Sequence, residues 1–388
     1  MDRRLFVLAL GMFALGTDSF VVAGVLPQIS HTFNVSIGAA GQMTTVYAVT
    51  YALLAPTIAA LAAGVNRKAM LLSGLGVFVV ANVATALSLT FAIAMLTRII
   101  AGFGAAMFAP TATGAAVAIV APERRGVALS VVIAGLSLST ALGTPIGAVI
   151  GGLGDWRWTM GFVAGLAFLA GIGVWAMLAE VPLPPHITLK QRLAPLANRR
   201  IGATLASNLL VQTGTFTVYT YFAVVLDRAI RGDTLILGGL LVLWGVAGTY
   251  ANLHAGRLID RIGTQKVLVS FLIVLLITVA LLPWSGAYLW STLLSMVFWG
   301  GCAWGQLVPQ QHRLVSIAPA SAPVVLGLNT SCTYLGVSAA GLIGAAGIRI
   351  VGAHNLGLIS AVAVALAIAA SQLAREPAPT PSMVRSAG

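Results

Sequence analysis

The sequence predicts an all-α membrane protein of about twelve transmembrane helices, arranged as two pseudo-symmetric six-helix bundles. Three observations predict it. Of the 388 residues, 59% are hydrophobic and 8% charged, whereas a soluble domain carries roughly 25% charged residues. The apolar residues fall in successive runs long enough to cross a bilayer. A polar, proline-rich interruption near the middle then divides those runs into two equal sets.

A span needs roughly 20 apolar residues. Such runs cover 5–26, 37–61, 69–89, 92–120, 127–151, 158–180, 201–226, 235–255, 266–283, 287–312, 323–347 and 355–374. The first follows Met1-Asp2-Arg3-Arg4 and so begins like a secretory signal. It continues past Asp18 to Pro27 without a small-residue cleavage site and reads as an uncleaved helix. The 43 glycines and 16 prolines suit membrane helices, where neighbouring segments re-satisfy freed backbone groups.

The interruption sets the domain boundaries: a first bundle over 1–181, a cytoplasmic central loop over 182–200, a second bundle over 201–374 and a cytoplasmic tail over 375–388. The halves share a feature. Between the second and third runs stands Ala63-Gly64-Val65-Asn66-Arg67-Lys68. Between the eighth and ninth stands Gly256-Arg257-Leu258-Ile259-Asp260-Arg261-Ile262-Gly263, closing on Lys266. A basic tight loop at the same place in both halves is what parallel transporter repeats give.

The formal net charge of +12 does not indicate a nucleic-acid partner, because the basic residues sit in short segments between apolar runs. Most of the 21 Lys and Arg fall on the side that holds both termini; Arg157, Arg228, Arg231 and Arg349 fall on the other. The bias predicts that both termini are cytoplasmic.

Inside the runs a polar residue is expensive, so each carries information. Asp18 is the one acid within a span and Arg98 the one embedded base. Measured from Pro27 and Phe91, they fall in similar layers, roughly 10–13 Å deep, on helices of the same half, and could pair. Burial and an arginine partner act oppositely on the proton affinity of a carboxyl, so an acid balanced between them can exchange a proton as access alternates. Structural pairing of Asp18, and snorkelling of Arg98, are the alternatives.

Uncharged polar residues recur at helical spacing: Asn208, Gln212, Thr215 and Tyr219 in the seventh run, Thr44, Tyr47 and Tyr51 in the second, Trp299, Gln306 and Gln310 in the tenth. Amides avoid lipid, so these faces point to the interior or a watery path. They either line a substrate cavity with Trp244 or bond neighbouring helices. Asn82, Asn252 and Asn329 read as packing hydrogen bonds. The fifth run carries Gly135, Ser139, Gly143, Gly147 and Gly151 at four-residue spacing around Pro145, and the eleventh repeats it with Gly336, Ala340 and Gly344. Such ridges permit close approach, either as ordinary packing or as the seam on which the halves rock.

Other chemistries lack their residues. The five histidines are scattered without metal-ligand spacing, and Cys302 and Cys332 lie in apolar stretches that suggest packing rather than disulfides. No nucleotide loop or nucleophile elbow stands in a suitable context. The expectation is a protein that is not an enzyme, with no cofactor and no metal, acting as a monomer on a small molecule and protons within the bilayer.

Taken in order, the motifs resemble the major facilitator superfamily, and within it the twelve-helix drug:proton antiporters of the arabinose, purine-nucleoside and chloramphenicol efflux branch. Gly16-Thr17-Asp18 through Pro27 resembles that group's first-helix motif. The loop from Gly256 to Lys266, with Asp260 and Arg261, resembles the signature loop, and Arg67 stands in its first-half equivalent. Arg98 through Gly104 is similar to the fourth-helix motif, and Gly143-Thr144-Pro145-Ile146-Gly147 to the antiporter motif. The resemblance implies alternating access between two bundles and proton-driven export. The first-half loop departs from the family in lacking an aspartate before Arg67, and Leu10 stands where some relatives carry a second acid. A single embedded acid fits small, mostly apolar or neutral cargo. Facilitated diffusion or uptake of a sugar or nucleoside, and a non-transporting receptor, are the competing expectations.

Overall fold

The computed structural model describes residues 2–61, 64–121, 124–179, 181 and 188–374. The tail, part of the central loop, and Ala63, Glu123 and Glu180 lie outside the described residues. Twelve long helices follow one another: α1 (Arg3–Phe33), α2 (Ile37–Leu61), α3 (Arg67–Ala86), α4 (Phe91–Ala118), α5 (Arg125–Leu153), α6 (Trp156–Met177), α7 (Arg199–Tyr219), α8 (Thr234–Ile262), α9 (Thr264–Ser285), α10 (Leu289–Gly305, resuming as Leu307–Ile317), α11 (Ala322–Val351) and α12 (Leu356–Leu373). Among the described residues, ten of these are long and apolar enough to cross a membrane. The other two, α7 and α10, complete the pattern of six and six. α7 is dense in Thr, Ser, Asn and Gln, and α10 is broken at Gln306.

Helix ends explain where the scarce acids go. Asp2, Asp155 and Asp233 are N-caps of α1, α6 and α8, accepting backbone N–H bonds that the first turn would otherwise leave open. Asn66 does the same for α3, accepting from Lys68 N at 2.8 Å and Ala69 N at 3.3 Å. The residue standing where an aspartate was expected therefore has a structural use. At the other ends, α1 stops on Asn34 and α8 on Gly263, both at positive φ (49° and 88°).

Two expectations about length are corrected. α1 continues through Pro27 to Phe33, so Pro27 is not its outer end and Asp18 lies midway along the helix, deeper than the distance from Pro27 implied. α8 continues to Ile262, so Asp260 and Arg261 lie on its last turn and the connection to α9 turns at Gly263.

The small-residue ridges face inward within each bundle, although α5 and α11, the helices that carry them, do form the seam between the bundles. On α5, a side-chain carbon added at Gly135 would meet the backbone of Ala9, and one at Gly143, Gly147 or Gly151 would meet Thr17, Val21 or Val25. The ridge holds α5 against α1 within one bundle. Gly336 and Gly344 of α11 likewise face α7 and Tyr221 of the second bundle. The bundles meet along other faces of these same two helices. α2 packs on α11 through Gly38 against Ala345 and Gly341 against Thr45, and Gln42 Nε2 donates to Gly341 O at 3.2 Å. α5 packs on α8 through Gly245 against Thr140 and Gly238 against Val149.

The α5–α8 contact is one-sided. It runs along Ser139–Gly143 and Thr144–Leu153 and hardly involves Arg125–Leu138. At the end holding the termini, Gly126 and Gly256 have open space around them. The bundles are therefore closed at the far end and parted, along this line, at the terminal end. A short helix of the central segment (Leu189–Leu193) spans α2 and α11 there, with Arg192 Nη2 donating to Ala59 O at 3.0 Å. Large apolar side chains such as Leu53, Phe168, Trp175, Ile277 and Leu281 are exposed on the outer faces, as lipid-facing surfaces require.

Candidate functional site

Asp18 of α1 and Arg98 of α4, both fully buried, are in contact. Arg98 Nη1 donates to Asp18 Oδ1 at 2.7 Å, and Nη2 lies 3.4 Å from the backbone carbonyl of Asp18. Asn82 of α3 joins them, its Oδ1 3.5 Å from the same Nη1. Asn82, expected as a packing residue, thus belongs to the surroundings of the pair. Arg98 and Gly102 share a face of α4. Gly102 lets α2 approach so closely that a side chain there would meet the backbone of Tyr47, and the Arg98 guanidinium lies over the Tyr47 ring at 4.7 Å.

Taking two charges out of water costs several kcal/mol per ion unless each is well partnered. The partnership here is incomplete: Asp18 Oδ2 and Arg98 Nε have no hydrogen-bond partner among the described residues. Oδ2 can therefore take a proton without breaking the bond that Oδ1 makes. Beside it, Ser19 Oγ lies 3.2 Å from Tyr47 Oη and 3.4 Å from Tyr334 Oη. Tyr334 belongs to α11 of the other bundle, and its ring packs on Tyr51 at 4.1 Å. A hydroxyl cluster thus joins the acid's neighbour to the opposite bundle.

A second group lies in the second bundle. Tyr219 packs on Trp244 at 4.6 Å between ring centroids, and Trp244 on Trp299 and Trp304, each at 5.8 Å. Phe20, only two residues after Asp18, closes the group from α1, 6.0 Å from Tyr219 and 5.9 Å from Trp304. The structure thus brings together Tyr219, Trp244 and Trp299 in one place, and Tyr47 and Tyr51 in another.

The remaining expected residues are distributed differently. Asn208 Nδ2 donates to Asn329 O at 3.2 Å and Thr333 Oγ1 at 2.9 Å, tying α7 to α11; Gln212 Nε2 lies 3.4 Å from Asn208 Oδ1. Gln306 sits at the break in α10, donating to Ala303 O and accepting from Gln310, both at 3.2 Å. Arg67 Nη1 donates to Gly114 O at 2.7 Å, while Asp260 and Arg261 are exposed. Pro145 lines an apolar groove of about 340 Å³ between α5 and α8 that holds no polar side chain. Among the described residues no cluster of His, Cys, Asp or Glu could hold a metal.

Four members of these groups escaped sequence reasoning: Ser19, Phe20, Tyr334 and Trp304. Ser19 and Phe20 follow Asp18 directly, and Trp304 follows Trp299 by little more than one turn, so proximity was the available signal. Tyr334 gave none, because its partners are on other helices.

Two six-helix bundles, closed at one end, with a buried ion pair inside the first whose neighbour Ser19 reaches Tyr334 of the second, define a membrane transporter. The chain belongs to the Major Facilitator Superfamily, whose family profile matches residues 8–341. It is 27% identical to the inner membrane transport protein YdhP of Escherichia coli (strain K12) over 90% of each chain. It is 26% identical to a probable sugar efflux transporter of Helicobacter pylori (strain ATCC 700392 / 26695), covering 94% of this chain and 93% of that one. Its fold is similar to the crystal structure of a point mutant of the nucleoside transporter NupG, with a TM-score of 0.78 at 12% identity, covering 96% of this chain and 99% of that one.

Proposed function

We propose that the protein is a proton-coupled antiporter that exports small, mostly apolar or neutral organic compounds from the cytoplasm by alternating access. The observation that carries this reading is the Asp18–Arg98 pair. It is a fully buried acid of the first bundle with one oxygen held and the other open, next in the chain to Ser19, which reaches Tyr334 of the second bundle. Protonation of Oδ2 removes the negative charge facing Arg98 and so changes the energy of holding the bundles together near Tyr334. Substrate entering between parted bundles supplies the opposing bias. A ligand or proton shifts such an equilibrium only by binding the two states unequally.

The remaining assignments follow from that reading. The excess of Lys and Arg at the terminal end puts both termini in the cytoplasm of a bacterial cell. The gap between α5 and α8 at that end makes this the inward-facing arrangement. Arg67, Asp260 and Arg261 act at the cytoplasmic gate, and Gly143, Pro145 and Gly147 set the path of α5. Tyr47, Tyr51, Asn208, Gln212, Tyr219, Trp244, Trp299 and Gln306 border the substrate path. The efflux relative supports export over uptake. The test is accumulation of labelled compounds in a susceptible host: export predicts less of the recognised compound in expressing cells and loss of that difference with an uncoupler. More compound inside expressing cells would establish uptake instead.

A further inference from the structure

The aromatic group of the second bundle has a property that packing alone does not require. Tyr219 Oη, Trp244 Nε1, Trp299 Nε1 and Trp304 Nε1 are all buried without a hydrogen-bond partner among the described residues. Tyr219, Trp244 and Trp299 are at most 1% exposed, and Trp304 is partly exposed. Thr144 of α5, fully buried, stands beside the Tyr219 hydroxyl from the other bundle, so these two hydroxyls can serve each other and the three indole N–H groups are the donors left unmet. An indole N–H only donates, and a buried polar group left unpaired is costly. Several such groups in one cluster amount to a shared demand for acceptors.

We propose that this cluster is the ligand subsite of the second bundle, and that it selects flat, uncharged ring compounds bearing hydrogen-bond acceptors over hydrocarbons and cations of the same size. The proposal rests on the transport reading above and adds the substrate's chemistry to it. Trp299 and Trp304 meet Trp244 edge to face, and Tyr219 lies tilted against it, an arrangement that a flat ring can enter by exchanging ring contacts for ring contacts. Hydrocarbons gain the stacking but leave every donor unpaired. Acceptors on the ligand satisfy indole N–H groups that no acceptor among the described residues reaches.

Cations are excluded by the surrounding charge. Asp227, Asp233 and Asp260, the described acids of the second bundle, are exposed at helix ends. Asp18 is engaged by Arg98. A cation placed among the indoles would be drawn to their faces. It would satisfy none of the donors, however, and would leave its charge buried with no carboxylate to neutralise it, which costs more than the ring contact returns.

The backbone is built for this arrangement. A side chain at Gly300 would collide with the backbone of Trp244, and one at Gly248 with the ring of Trp304. These two glycines let α8 and α10 come close enough to gather three indoles. Trp304 and Phe20 meet across the bundle interface, and Trp304 is the partly exposed member of the cluster.

Three bicyclic probes of equal size separate the possibilities: coumarin (neutral, acceptor-bearing), naphthalene (no acceptor) and N-methylquinolinium (cationic). They are titrated into the full-length protein in lipid nanodiscs, ¹⁵N-labelled at tryptophan, without any ion gradient. Empty nanodiscs are subtracted, and indole ¹⁵N–¹H resonances are assigned by single Trp→Phe variants. The expected result is downfield movement of the Trp244, Trp299 and Trp304 resonances with coumarin, and coumarin binding about tenfold tighter than naphthalene. W299F and W304F keep a ring and lose a donor. Each should weaken coumarin about five- to tenfold and leave naphthalene unchanged. Equal binding of coumarin and naphthalene, preference for the cation, or unmoved indole resonances would overturn the proposal. Because no gradient is involved, failure of proton coupling leaves this result intact, and a negative result here leaves proton coupling standing.

Discussion

Arg98 reaches from α4 to hold one carboxylate oxygen of Asp18 at 2.7 Å and leaves the other without a partner. That asymmetry makes the pair both a structural bond and a proton site, and the two uses can be separated by substitution.

Arg98→Met leaves the Asp18 carboxyl buried without its partner. Breaking one side of a buried pair costs about 3–5 kcal/mol, so thermal unfolding of the purified variant should occur well below that of the wild type. Adding Asp18→Asn should recover much of the loss, because no charge is then stranded. A double variant as unstable as Arg98→Met alone would show that the arginine stabilises through something other than Asp18.

Tyr334→Phe removes the hydroxyl near Ser19 and keeps the ring that packs on Tyr51. Stability should change by about 1 kcal/mol or less. Substrate-driven proton movement in proteoliposomes should slow severalfold if this hydroxyl couples the bundles. Unchanged coupling would leave Tyr334 as a packing residue.

Gly245 of α8 meets the backbone of Thr140 on α5, a contact made with the bundles closed at the far end. Gly245→Val should disfavour this state. In protein with Cys302 and Cys332 replaced by Ser, a cysteine introduced at Thr234 should then be labelled faster by an impermeant reagent. Gly126→Val, in open space, should leave the labelling rate unchanged.

Asn66→Ala removes the cap of α3 and should cost about 1 kcal/mol in thermal stability, whereas Asn66→Asp should cost little.

What could be read from the sequence followed from elementary costs. Lipid leaves a long apolar run few options, so the helices and their two sets of six were legible, and α2 was placed at its observed bounds. The embedded Asp18 and Arg98 were conspicuous because charge in a bilayer is rare. Ends defined by a single residue were less legible. Pro27 looked like a stop, but it lies within a helix whose neighbours hold it, and the Gly256–Gly263 stretch looked like a loop because its charges are those of a helix's last turn. Spacing in α5 revealed that something packs closely against it and not that the partner is α1 of the same bundle. Relationships between helices, such as Tyr334 to Ser19 or Trp304 to Phe20, have no one-dimensional signature.

The central claim is that Asp18 carries the coupled proton. Purified protein is reconstituted into liposomes with an imposed pH gradient, and movement of the compound most strongly excluded by expressing cells is followed for the wild type and Asp18→Asn. The account predicts gradient-driven transport by the wild type, its loss in Asp18→Asn, and retained exchange of labelled for unlabelled compound in that variant. Undiminished gradient-driven transport by Asp18→Asn would contradict it.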